Sequence, residues 1–225
     1  HPNSHAGYYP GASPLALKLL FAPDGKIYGA QAIGTEGVEK RIDVIATAMR
    51  FGAKADQLAS IELAYAPPYS SAKDPVNMLG YVADNLLAGQ FETFQWHQVA
   101  DLQAQGAYFL DVREDFELAT GHIQGSKTIP LNQLRQRLAE LPKEETINVY
   151  CQVGHRGYNA VRILQQAGFS AKNLDGGYKT YKNAHYQLKE IALKRPEKPS
   201  RSQLTADRHL ESIELDACGL QCPGP

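Results

Sequence analysis

The chain has 225 residues, 43% hydrophobic and 21% charged, with a formal net charge of −1. That composition is ordinary globular material and excludes a low-complexity or collagen-like chain. The balanced charge supplies no basic footprint for nucleic acid or an anionic membrane surface, and no apolar run reaches the roughly 20 residues of a membrane-spanning helix. Residues 1–10 lack the basic and apolar regions of a signal peptide. With His1 at one end and Cys222-Pro-Gly-Pro225 at the other, the sequence reads as a piece of a longer protein. Three cysteines are too few for a disulfide scaffold and fit a reducing compartment, so the expected location is the cytoplasm.

In chain order, Leu15–Ala22 and Lys26–Ile33 flank an Asp24-Gly25 turn and predict a β-hairpin. Apolar residues at helical spacing predict a helix over Val38–Phe51, with Gly52 as its cap, and a short helix over Lys54–Leu58. Glu62–Ser71 is rich in Pro and Tyr and cannot be a long helix. Asp74 at the N-cap and Pro75 at the first helical position start a helix that runs to Leu87.

From Trp96 the pattern becomes strand–helix alternation. Strands are predicted at Phe109–Val112, Thr128–Leu131, Ile147–Tyr150 and Lys172–Leu174. Helices are predicted at His97–Gln105, Asp115–Ala119, Asn132–Leu141, Tyr158–Ala167 and Tyr178–Leu188. This alternation argues for an α/β domain with a parallel sheet. Lys194–Arg208 reads as a linker, and Ser212–Pro225 restarts an apolar alternation with Cys218 and Cys222.

Cys151 follows the strand Ile147–Tyr150 and precedes Gln152, Val153, Gly154, His155 and Arg156, after which a helix is predicted. Ligands of open α/β sheets bind at the carboxyl ends of strands. A loop running into a helix N-terminus presents N–H groups and a positive helix end, both of which favour thiolate over thiol. A strand-end cysteine alone is equally well a small buried apolar residue. The Gly, His and Arg behind it, and the turn into a helix, favour a nucleophile.

These residues resemble a rhodanese domain. Asp111-Val-Arg-Glu114, Gly121-His-Ile-Gln-Gly125 and Ile129-Pro-Leu131 are similar to the family's first signature, Cys151–Arg156 to its active-site loop, and Gly176-Gly177-Tyr178 to its last signature. Tyr181 stands where many members carry Trp. The resemblance implies sulfur transfer through a Cys151 persulfide, with Cys151 and Arg156 catalytic and Gln152, Val153, Gly154 and His155 forming the persulfide loop. Asp111, Arg113 and His122 would be supporting signature residues, with His122 as general base a further option. Four residues lie between Cys151 and Arg156, fewer than the five of rhodanese-type phosphatases, which disfavours that alternative. A non-catalytic rhodanese-like binding module is the other alternative, disfavoured by the presence of the cysteine.

From chemistry alone, Tyr8-Tyr9-Pro10 and Tyr65-Ala-Pro-Pro-Tyr69 are aromatic packing and a Pro-rich turn. However, Gly34–Asp43 and Leu63–Asn77 resemble the dimerisation domain of FAD-dependent pyridine nucleotide-disulfide oxidoreductases, in the branch of coenzyme A-disulfide reductase, NADH oxidase and persulfide reductase. That implies an α+β domain over 1–90, a homodimer, and a tyrosine that reaches the partner's redox cysteine. Tyr65 and Tyr69 are the candidates, with Tyr8 or Tyr9 weaker ones. FAD and NAD(P)H would belong to the full-length parent and no cofactor or metal to this piece. Leu215–Pro225 resembles the start of a TusA/SirA-like sulfur carrier, with Cys222 as the carrier thiol and Cys218 a weaker neighbour. The expected organisation is thus a dimerisation domain (1–90), a rhodanese-like α/β domain (91–190), a linker (191–211) and a truncated carrier domain (212–225). The expected partners are small-molecule sulfur donors and acceptor thiols, with no nucleic acid and no membrane.

Overall fold

The computed structural model describes residues 1–186. The linker, Cys218 and Cys222 therefore lie outside the described residues.

The first part of the chain is α+β. Strands β1 (Ala16–Phe21) and β2 (Ile27–Ile33) pair antiparallel, as the Asp24-Gly25 turn demands. Helices α1 (Val38–Arg50) and α2 (Pro75–Leu87) pack on this hairpin around Ile27, Ile45, Leu58, Val76 and Ala83. The start of α2 is fixed by local chemistry. Asp74 accepts from the Val76 N–H at 3.0 Å, and Asn77 Oδ1 accepts from the Asp74 N–H at 3.0 Å. This reciprocal box satisfies donors that the first helical turn leaves free. Asp74 also takes the buried Arg41 guanidinium at 2.9 Å, which ties α1 to α2. The helix expected over Lys54–Leu58 is instead a 3-10 turn over Asp56–Ser60.

The second part is an all-parallel five-stranded sheet. Its strands are β3 (Glu92–Phe94), β4 (Phe109–Asp111), β5 (Lys127–Thr128), β6 (Ile147–Tyr150) and β7 (Ala171–Leu174), in the order β3-β7-β6-β4-β5. Helices α3 (Val99–Ala104), α4 (His155–Gln166) and α5 (Gly177–Ala184) connect or follow them. The central strand β6 is buried along its length. Alternation sends Ile147, Val149 and Cys151 toward the core shared with Ala160, Val161 and Leu164 of α4. Tyr150 goes to the opposite core with Phe94, Val99, Leu174 and Tyr178.

Several element limits differ from expectation. Strand β5 stops at Thr128, although the Ile129 N–H still reaches Asp111 O at 3.0 Å; Pro130 has no N–H with which to continue the ladder. The helix expected over Asn132–Leu141 is two 3-10 turns, Leu134–Gln136 and Leu138–Glu140, and that over Asp115–Ala119 is a 3-10 turn, Asp115–Thr120. Helix α4 starts at His155, three residues before the expected Tyr158, which puts His155 and Arg156 on its first turn rather than in the loop. Helix α5 ends at Ala184, short of the expected Leu188.

Candidate active site

Cys151 sits at the carboxyl end of β6, fully buried under α4. The chain must turn sharply to pass from strand to helix within four residues, 151–154. Gly154 makes this turn with φ 104°, a backbone geometry that side chains disfavour. The turn swings the Gly154 N–H back onto the cysteine, where it donates to Sγ at 3.2 Å.

A second helix N-terminus shapes the same loop. The N–H of Tyr178 donates to Cys151 O at 2.8 Å, and the N–H of Lys179 donates to Gln152 O at 2.9 Å. The unpaired first-turn donors of α5 thus occupy the loop's carbonyls, while the loop's own Gly154 N–H faces the sulfur. Contact is close enough to exclude a side chain at Gly177, where a Cβ would lie 2.6–2.7 Å from Cys151 O, Gln152 C and Val153 N. The Gly176-Gly177 pair of the last signature is explained by this approach.

Arg156 points to Glu117, not to the cysteine sulfur. Its Nη1 and Nη2 meet the two carboxylate oxygens at 2.6 and 2.7 Å. This pairing raises the Arg156 pKa and holds the Glu117 carboxyl below its ordinary range, with the Arg156 hydrogen bonds as the main cause for Glu117. Glu117 was not among the residues singled out from sequence. Its only local signal was a capping box, in which it accepts from the Glu114 N–H at 3.0 Å.

Asp111 and Arg113 form a buried support beneath the loop. Arg113 Nε lies 3.0 Å from both Asp111 oxygens, and its Nη2 is 2.6 Å from Oδ2. Burial opposes the Arg113 charge, but the hydrogen bonds and charge of Asp111 outweigh it and raise the Arg113 pKa. The guanidinium stacks 4.5 Å from the Tyr178 ring centre and donates to Gly121 O at 2.8 Å. Its Nη1 also reaches Gln152 Oε1 at 3.3 Å. The first, second and third signature segments therefore meet at this one side chain.

The other candidates are placed differently. His155 and His122 are exposed, and His122 makes no side-chain hydrogen bond among the described residues. Val153 is half-buried in the loop. In the first domain, the Tyr8 and Tyr65 hydroxyls are 3.2 Å apart, and this hydrogen bond is the main cause of a raised Tyr65 pKa. Tyr69 is 69% exposed and stands outside that pair. No cluster of three His, Cys, Asp or Glu suited to a metal occurs among the described residues. No helix among them is long and apolar enough to cross a membrane.

The strand, cysteine loop and two converging helix N-termini define a rhodanese-like domain. Residues 95–184 match the Rhodanese-like domain family, and residues 1–75 match the Pyridine nucleotide-disulphide oxidoreductase, dimerisation domain. The described chain thus carries a match to the dimerisation domain followed by a rhodanese-like domain. It is similar to reduced CoADR-RHD of Bacillus anthracis, with 53% identity and a TM-score of 0.79 over 80% of this chain and 32% of that one. It is also similar to an NAD-dependent persulfide reductase from A. fulgidus, with 40% identity and a TM-score of 0.72 over 80% of this chain and 32% of that one. Among curated proteins, the coenzyme A disulfide reductase of Staphylococcus epidermidis is 52% identical over 81 residues, 36% of this chain and 18% of that protein. The chain therefore spans less than a fifth of that relative and about a third of the two solved structures. Neither matched domain is an FAD-binding domain.

Proposed function

We propose that the rhodanese-like domain is a sulfurtransferase and that Cys151 is its nucleophile. The observation that carries this reading is the Gly154 N–H aimed at Cys151 Sγ from the N-terminal turn of α4, at 3.2 Å. A thiolate there attacks the outer sulfur of a persulfide or thiosulfate; a new S–S bond forms, and the donor leaves as a thiolate or sulfite. The resulting Cys151 persulfide is an anion, stabilised by the loop N–H groups and the helix end. An acceptor thiolate or cyanide then attacks the outer sulfur, and Cys151 departs as thiolate. The exchange is redox-neutral overall. Arg156 and Gln152, on either side of the loop, would meet the incoming donor.

In the longer protein, this module would serve an FAD- and NAD(P)H-dependent reductase of CoA-linked disulfides or persulfides, a reading supported by the paired domains and by the named relatives. The dimerisation domain supports a homodimer. Tyr65, with Tyr8 beside it, would present a hydroxyl to the partner's redox thiol, and Tyr69 is a second candidate. Cys222 would receive sulfur from Cys151. The cytoplasm fits such thiol chemistry.

The test is a Cys151→Ser variant in a thiosulfate:cyanide assay, with mass spectrometry after brief donor treatment. Activity should disappear, together with an adduct of about 32 Da, roughly one sulfur atom, that the parent carries on Cys151. A Cys151→Ser variant that turns over at the parent rate would overturn the assignment.

A further inference from the structure

Asn173 is a buried polar residue, 5% exposed, on the central part of β7, in register with Val149 of β6 and Thr93 of β3. Strand alternation puts it on the α4 side with Ala171, in an otherwise apolar layer. Its Nδ2 donates to Gly154 O at 3.1 Å. The same carbonyl accepts the Tyr158 N–H at 2.9 Å, so both of its lone pairs are engaged. The carboxamide orientation is forced, because a carbonyl can only accept. The other end, Oδ1, is buried with no hydrogen-bond partner. It lies against the Gly157 backbone, where a Cβ would collide with it. The remaining contact available to it there is a weak one from a Cα–H.

A stranded buried oxygen costs stability, and an apolar side chain of the same size would remove that cost. The donor end accounts for the asparagine. Gly154 carries the N–H that faces the cysteine sulfur, and glycine has many backbone states open to it. Its φ of 104° and ψ of −29° therefore need an outside restraint. The Gly154 carbonyl belongs to the 154–155 peptide, and holding it restrains ψ of Gly154, the rotation that turns this peptide against the one carrying the Gly154 N–H.

We propose that Asn173 is a positioning residue for the Cys151 loop, holding the Gly154 carbonyl so that the Gly154 N–H stays aimed at the sulfur. This rests on Cys151 being the sulfur-transfer nucleophile. The restraint comes from a strand residue 19 positions further along the chain than Gly154, and it acts on substrate only through Gly154.

Asn173→Leu keeps the branching and the heavy-atom count, at somewhat greater bulk, and removes both the donor and the stranded oxygen. A purely structural asparagine would show itself in the melting temperature. A positioning asparagine leaves the melting temperature equal or higher, lowers kcat for thiosulfate:cyanide transfer by about tenfold, and leaves the donor KM within about twofold. The pH profile of Cys151 alkylation by iodoacetamide should also move upward by about half a pH unit or more, since a thiolate donor is loosened. His155 and Arg156 on α4, Glu117 and Arg113 remain in place, so such a shift reports on the N–H. A kcat within about twofold of the parent and an unmoved alkylation profile would overturn the proposal. Should Asn173→Leu fail to fold, Asn173→Ser, smaller and polar, is read by the same two criteria. Alkylation needs no sulfur transfer, so a parent inactive toward sulfane donors would overturn the sulfur-transfer reading while the alkylation profile still decides the role of Asn173.

Discussion

Glu117 grips Arg156 with both carboxylate oxygens, at 2.6 and 2.7 Å, across 39 residues of sequence. The arginine that follows the cysteine loop is therefore already paired when a donor arrives. A dianionic donor such as thiosulfate must compete with Glu117 for this cation. Glu117→Gln should raise kcat/KM for thiosulfate by roughly threefold or more, because the guanidinium then has a weaker partner. Steady-state kinetics with thiosulfate and cyanide measure this. An unchanged or lower kcat/KM would show that Arg156 does not meet the donor.

The same pair makes stability depend on pH, with a definite sign. The folded-state pKa of Glu117 lies below its unfolded value, mainly through the Arg156 hydrogen bonds. In that window the unfolded chain binds more protons, so stability rises with pH. The contribution is complete above the ordinary glutamate range of about 4.3 and is lost as pH falls through the lowered folded value. Urea unfolding of the parent and Glu117→Gln should differ at neutral pH and converge in acid. A difference that grows toward acid would contradict the assignment.

Gly177→Ala should be far more damaging than Gly176→Ala, although both glycines have positive φ, 63° and 68°. A Cβ at Gly177 meets loop backbone at 2.6–2.7 Å, whereas one at Gly176 meets only the Thr180 side chain, whose hydroxyl can rotate away while its Cβ, at 2.9 Å, requires a small shift. We expect a loss of about 2–4 kcal/mol for the first and less for the second, read from chemical denaturation, with sulfur transfer falling in the same order.

Removing one partner of the Asp111–Arg113 pair strands a buried charge. Arg113→Met should cost about 3–5 kcal/mol. The double variant Asp111→Leu/Arg113→Met should cost less than the two single losses added together, because no charge is left behind. Strict additivity in a double-mutant cycle would argue against this coupling.

Met78 and Val82 lie one turn apart on α2, just beyond residues 1–75 that match the dimerisation domain, and are 43% and 44% exposed, an apolar strip beside that match. The chain of 24.7 kDa should therefore sediment as a dimer at tens of micromolar, and Val82→Glu should shift it toward monomer. A parent that sediments only as monomer would count against the homodimer.

Where local chemistry decides, the sequence was readable. Asp24-Gly25 dictates the hairpin and Asp74-Pro75 the start of α2, because each signal lies within a few residues of its effect. The cysteine loop was readable for the same reason, as a strand, a glycine and a helix in succession. The start of α4 was misread because His155 and Arg156 are polar and carry no apolar periodicity, while the left-handed Gly154 that caps the helix leaves no such pattern. Strand β5 was read too long because Ile129 and Leu131 look like strand residues, whereas Pro130 between them breaks the ladder. Glu117, Asn173 and the pairing of Tyr8 with Tyr65 depend on contacts between distant segments, and neither composition nor spacing encodes such contacts.

The two helix ends that meet at residues 151–153 have a bearing on ionic strength. The stabilisation offered to a sulfur anion at the buried Cys151 would come from peptide dipoles fixed in a half-buried loop, with the nearby guanidinium already paired. Mobile ions screen exposed charges over about 8 Å in physiological salt and reach buried dipoles far less. Added salt should therefore slow the capture of a charged donor at the exposed rim of the site while leaving the persulfide, once formed, as well held as before.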